Sequence, residues 1–146
     1  MKSPFFSVKE LVCKHVYERY GENAAMFLDD KLIETLNVIR EQILCAPMTV
    51  NNWHAGGNFT QRGLRCNICE LVKSKTDAGS LYLSAHMLGK AVDCNVEGMT
   101  AEEARRLIIV KQELLPYPIR LEDGVSWLHF DLYKNGKNEK VYLFKA

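Results

Sequence analysis

An α+β fold with a mostly antiparallel sheet packed against helices is predicted by three observations. Apolar residues recur at helical spacing early in the chain, short strand-like runs crowd its end, and capping or turn signals punctuate both. At 146 residues the chain reads as a small single domain, 1–146, long enough to bury a core without staples.

Ser7-Val8-Lys9-Glu10 has the form of a capping box, in which serine and glutamate satisfy each other's free amide donors. It opens a helix expected to reach about Tyr20, with Leu11, Val12, Val16 and Tyr20 near helical spacing and Gly21 as a stop. A second helix, from about Asp30 to Cys45, carries Leu32, Leu36, Ile39 and Ile43 on one stripe and ends before Pro47. Met48 to Trp53 follows as a strand. From about His54 to Ser80 the chain is polar and rich in Gly, Asn, Arg and Lys, which predicts a long loop. Thr100-Ala101-Glu102-Glu103 is another capping box, starting a helix to about Leu115 with Ala104, Leu107, Ile108 and Leu115 inward. Pro116 and Pro118 close it. Ile119–Glu122, Ser126–Tyr133 and Lys140–Lys145 are three short strands, the last two joined by a turn at Asn135-Gly136.

Bulk properties exclude several classes. With 47% hydrophobic and 25% charged residues the chain is expected to be globular rather than disordered. A net charge of +1 leaves no broad basic field, so nucleic-acid binding is not expected. No run of 18 apolar residues offers a membrane span. Lys9 and Glu10 stand too close to the start for a secretory apolar region, so cytoplasmic synthesis is expected. A monomer is expected. Cys13, Cys45, Cys66, Cys69 and Cys94 read as reduced, mostly buried thiols. Cys66-Asn67-Ile68-Cys69 is a CxxC, but a structural zinc site calls for a second pair of soft ligands at similar spacing, and a redox role for a thioredoxin-like βαβ unit. Neither is seen.

The chemistry concentrates in Ser84-Ala85-His86-Met87-Leu88-Gly89-Lys90-Ala91-Val92-Asp93 and in Trp127-Leu128-His129-Phe130-Asp131. Together they offer two histidines and a carboxylate, the ligand set of a catalytic zinc that keeps its fourth position for water. Gly89 lets the backbone turn so that His86 and Asp93 can reach one point. On an alternating strand His129 shares a face with Trp127 and Asp131, and Asp131 is placed to orient the imidazole by accepting its N–H. A single histidine in an apolar strand is ordinarily a satisfied core residue. A carboxylate at Asp93 is harder to dismiss, because burying it unpaired is costly.

These segments resemble the S-x-H-x-x-G-x-A-x-D … H-x-D signature of the M15 family of zinc peptidases, the D-alanyl-D-alanine carboxypeptidase and phage endolysin group. Phe6-Ser7-Val8-Lys9-Glu10-Leu11 and the later Ile39-Arg40 and Met48-Thr49-Val50-Asn51 are similar to the same family, more loosely. The resemblance implies a hedgehog/DD-peptidase fold, Zn2+ held by His86, Asp93 and His129, and a peptidoglycan stem peptide as substrate. It implies action on the cell wall after release in phage or prophage lysis, or as part of a virion. Ser84 belongs to the signature and is expected to contact substrate or anchor the ligand loop.

Two departures from the family pattern matter. Many members place Glu or Asp three residues before the third ligand as the general base; here that residue is Ser126. Glu122 and Asp123 stand just upstream. An even-numbered loop between the strands puts Glu122 on the His129 face and an odd one favours Asp123; Asp123-Gly124 as a turn favours Glu122. His54 is a third candidate. The arginine turn that typically clamps the substrate carboxylate is also missing, its place taken by Asn51-Asn52-Trp53-His54. Arg62 and Arg65 are displaced replacements, since a guanidinium fork suits a carboxylate, and Trp127 is a candidate cleft wall. The sequence thus predicts a zinc metallopeptidase. The alternative, supported by Ser126 and the missing arginine turn, is a non-catalytic zinc-containing binding or structural protein on the same fold.

Overall fold

Alternation along the central strands divides the molecule into a helix-covered face and a polar face. The computed structural model describes residues 2–146. Its sheet comprises β1 (Met48–Thr49), β2 (Ala91–Val96), β3 (Ile119–Glu122), β4 (Leu128–Asp131) and β5 (Val141–Phe144), in the order β1-β2-β4-β3-β5. The pairs β1–β2, β2–β4 and β4–β3 are antiparallel, and β3–β5 is parallel. The fold is α+β with a mostly antiparallel sheet, as the sequence predicts.

Val92, Cys94, Leu121, Leu128 and Phe130 turn to one side and join the main core. That side is covered by α3 (Asp30–Val38) with the π-helical turn Ile39–Ile43 that extends it, and by α5 (Ala101–Val110). The predicted stripe Leu32, Leu36, Ile39 and Ile43 is wholly buried there. Removal from water stabilises each such side chain by about 1.5–3 kcal/mol, so this face holds the fold. Asp29 caps α3 by accepting the Lys31 amide, and Thr100 caps α5 by accepting that of Glu103.

Four expectations need correction. The first helix is two, α1 (Val8–Leu11) and α2 (Lys14–Tyr20). Between them Val12 bridges to Leu64: the Leu64 amide donates to the Leu11 carbonyl, and the Cys13 amide donates to that of Leu64. Tertiary hydrogen bonds there replace helical ones. The predicted loop 54–80 contains a helix, α4 (Glu70–Asp77), and at its entry a 3-10 turn, Trp53–Ala55, takes the end of the predicted strand Met48–Trp53, of which only Met48–Thr49 pairs. Only Val72 of α4 is buried, so the helix carries no apolar stripe that its sequence could reveal. The third predicted helix ends at Val110 and continues as a 3-10 turn, Gln112–Leu114. Finally, β5 pairs with β3 rather than β4, because both edges of β4 are already taken by β2 and β3. The turn at Asn135-Gly136 therefore closes no hairpin. Among the described residues no helix is long and apolar enough to cross a membrane.

Candidate metal centre

On the polar face, sheet register lines up the chemistry. Asp93 on β2 sits directly opposite His129 on β4. Arg120 pairs with Asp131 and Leu121 with Phe130, so one further step of that register sets Glu122 opposite His129. Glu122 in turn pairs with Phe144 on β5. Asp93, His129, Glu122 and Phe144 therefore form a row across four strands, with Arg120 and Asp131 in the next row. Directly opposed residues share a face, so this convergence follows from register alone.

His86 approaches the row from a turn before β2. Its Nδ1 lies 2.9 Å from the Gly63 carbonyl, which can only accept, so Nδ1 donates there and Nε2 is the nitrogen left facing the site. That Nε2 is 3.3 Å from Asp93 Oδ2. His129 points Nδ1 at Asp93 Oδ1 and Nε2 at Asp131 Oδ2, each at 2.8 Å. One donor atom from each of His86, Asp93 and His129 thus lies within 4.8 Å of the others. Tetrahedral ligands at 2.0–2.1 Å from a zinc ion are separated by about 3.3 Å, so this set fits such an ion after small adjustments. The nitrogens turned away from it are held by Gly63 and Asp131, the support that orients metal-binding imidazoles.

Two glycines make this possible. Gly89 has φ +67°, and a Cβ there would run into the Phe27 carbonyl; a Cβ on Gly63 would strike that of Leu11. The segment carrying Gly63 also holds the second ligand, because the Asp93 amide donates to the Arg62 carbonyl at 2.7 Å. Ser84 accepts the His86 amide through Oγ at 3.2 Å, which anchors the ligand turn.

The charge balance is tight. Burial would raise the Asp93 carboxyl, but hydrogen bonds from His129 and His86 hold it well below the usual carboxylate range. Burial likewise would lower the His129 imidazolium, yet its bonds to Asp131 and Asp93 hold it up at about 9. Asp131 is pulled down, against burial, by His129 and by Arg120. Arg120 grips it with Nε at 2.8 Å and Nη2 at 2.9 Å.

A pocket of about 270 Å³ opens over the row. Ser84, Arg65, Glu122 and Trp127 line it with the three candidate ligands. Arg65 donates through Nη2 to Asp93 at 3.2 Å and through Nε to the Gln61 carbonyl at 2.6 Å. Glu122 Oε2 lies 4.0 Å from His129 Nδ1. Trp127 is 37% exposed, which fits a wall rather than a core aromatic.

Three candidates lie elsewhere. Asp123 accepts the Gly124 amide and sits 3.7 Å from Arg105 Nε, so it is a turn residue. Arg62 stacks on Phe59 and donates to Asn95 at 2.9 Å, outside the pocket. His54 packs edge-on against Trp53. Ser126 borders a different depression beside Arg105. Asn51, standing where the arginine turn is missing, is buried and bridges the Val12 carbonyl and the Arg62 amide. Arg120 and Phe144 were missed, although period-two alternation in Ile119-Arg120-Leu121-Glu122 already sets Arg120 beside Glu122.

A second cluster corrects the reading of the CxxC. Cys13, His15, Cys66 and Cys69 each bring one ligand atom within 4.8 Å of the other three, a possible metal site. The partner pair sought for Cys66 and Cys69 exists, but as Cys13-Lys14-His15, a C-x-H spacing some fifty residues upstream. Cys13, Cys69 and Cys94 are buried, Cys66 is half-buried and Cys45 exposed, all as free thiols. Comparison of the chain with family models, with curated proteins and with solved structures finds no match.

Proposed function

We propose that this chain is a zinc-dependent metallopeptidase that hydrolyses peptidoglycan stem peptides. The observation that carries the reading is the row Asp93–His129–Glu122, faced by His86 and open to a pocket. It supplies three nitrogen and oxygen ligands, an accessible position beside them, and a carboxylate within reach. When bound, zinc supplies Lewis acidity, polarising a peptide carbonyl and acidifying water.

The chain's own residues account for the rest. Glu122 is the group placed to take the proton of the attacking water and return it to the leaving amine. It does so from across the strand pair rather than from position 126. Asp131, fixed by Arg120, keeps the His129 proton on Nε2 and leaves Nδ1 for the metal. Arg65, held by Gln61 and Asp93, brings positive charge to the pocket for a substrate carboxylate, and Trp127 an apolar wall. The substrate class rests on the likeness of Ser84–Asp93 and His129-Phe130-Asp131 to the M15 signature. A zinc-holding protein without activity would need no carboxylate beside the ligands, so Glu122 favours hydrolysis over that alternative.

The test is digestion of purified peptidoglycan by zinc-loaded protein, with released fragments identified by mass spectrometry. Chelator-sensitive release of stem-peptide fragments is expected. An intact sacculus after incubation with folded, zinc-bearing protein would overturn the reading.

A further inference from the structure

The Cys13 cluster plays no part in the proposed hydrolysis, yet its atoms are arranged as a ligand shell. Cys66 Sγ and Cys69 Sγ are 3.8 Å apart, and His15 Nδ1 lies 3.5 Å from the first and 3.8 Å from the second. Cys13 Sγ completes the group within 4.8 Å of each. Around a tetrahedral zinc with bonds near 2.3 Å to sulfur and 2.0–2.1 Å to nitrogen, two sulfurs are about 3.8 Å apart, and sulfur and nitrogen about 3.5 Å. A disulfide requires about 2.05 Å and would leave the third thiol and the imidazole without a purpose. The Cys66 amide donates to Cys69 Sγ at 3.4 Å, which fixes the direction of that sulfur.

The backbone is arranged to deliver these ligands. The break between α1 and α2 places Cys13 at the start of α2 and sends His15 out along it. Cys66 and Cys69 lie in the turn that opens α4, with the Cys69 amide donating to the Cys66 carbonyl at 3.2 Å. Little else holds this corner. Its buried apolar cluster contains only Cys13, Cys69 and Val72, with partly buried neighbours around them. Few buried methyl groups and four metal-type donors are the composition of a region stapled by an ion rather than by a core.

We propose that Cys13, His15, Cys66 and Cys69 bind a structural zinc ion that ties α2 and α4 to the segment supporting the first site. Four protein ligands leave no position for water, which makes the site structural rather than catalytic. Its effect passes along the chain. Cys66 follows Arg65, whose amide donates to the His86 carbonyl at 3.1 Å, and Gly63 fixes the His86 imidazole. The ion therefore acts as a positioning device for His86. The inference is independent of the peptidase reading.

The experiment measures metal content and the electronic spectrum of the cobalt-substituted full chain. A thiolate-to-cobalt charge-transfer band and one metal equivalent held by the cluster, besides that of the first site, are expected. Cys66→Ser/Cys69→Ser should lose the band and one equivalent, whereas His129→Ala should keep the band. If the double variant does not fold, mercurial titration of wild-type thiols, followed with a zinc indicator, decides: release of one equivalent as thiols are blocked is expected. A cobalt protein without the charge-transfer band, a disulfide within the cluster, or no zinc release on thiol blocking would each overturn the proposal.

Discussion

Around Asp93 the donors are two imidazoles and a carboxylate, Asp93 and His129 on the sheet and His86 on a turn beside it, whereas around Cys69 they are three thiols and an imidazole near helix starts. The first set is backed by the main core and opens into a pocket; the second stands over a small satellite cluster. Carboxylate and imidazole leave a metal strongly Lewis acidic, and three ligands leave room for chemistry. Thiolates donate more charge, and a fourth protein ligand closes the shell. The contrast teaches that one small chain separates a reactive ion from a stapling one by ligand hardness and by closure. Gly63 to Cys66 is the short segment through which the second supports the first.

The strongest way to break the contrast is His129→Ala. It should abolish hydrolysis and remove one metal equivalent while the thiolate-site metal stays, as read by metal analysis and peptidoglycan digestion. Loss of both ions at once would mean the centres are not separable.

Glu122→Gln should follow in size. Turnover is expected to fall by about 10²–10⁴-fold, the usual worth of a general base, with both ions retained. Asp123→Asn should leave turnover near wild type, since that carboxylate serves the turn. Near-normal turnover in Glu122→Gln would remove it from the catalytic role.

Asp131→Asn should weaken metal binding at the first site by about 10–100-fold, the usual effect of losing a partner of a metal-binding imidazole. The thiolate-site affinity should not move, and competition titrations with a chromogenic chelator would distinguish the two. Equal weakening at both sites would contradict the assignment.

Smaller and opposite in sign are the pH responses. In the metal-free protein His129 is held up at about 9, above its ordinary value of 6.5. Its contribution to stability is therefore complete below about pH 6.5 and is lost as pH rises through about 9. Asp93 and Asp131 are pulled down, so theirs is present above the usual carboxylate range and lost on acidification. Denaturant melts of chelated protein should show falling stability from pH 7 to 9.5. Metal affinity at the same site should rise over that range, because the ion displaces the His129 proton. A flat or rising stability of the metal-free form would show that the Asp131–His129–Asp93 chain is not formed.

The main core was legible because its signals are local and periodic: the stripe Leu32, Leu36, Ile39 and Ile43 and the caps at Asp29 and Thr100 need no tertiary knowledge, though Asp29 itself was not singled out. Gly89 and the loop parity that favours Glu122 were readable for the same reason, since a positive φ and a period of two are set by the backbone. What escaped is long-range. The break at Val12 depends on Leu64, the placement of β5 on the occupancy of both β4 edges, and the Cys13–Cys66 meeting on the same Val12–Leu64 bridge. Arg62 and Arg65 are three residues apart and chemically alike, yet only Arg65 faces the pocket; nothing in spacing alone separates them.

The most direct test of the central claim is to follow peptidoglycan hydrolysis and zinc content together while a chelator is titrated in. Hydrolysis should vanish with the first equivalent removed, while the second stays until the thiols are blocked, and adding back one equivalent should restore activity. Hydrolysis that persists after the first ion has gone would contradict the account.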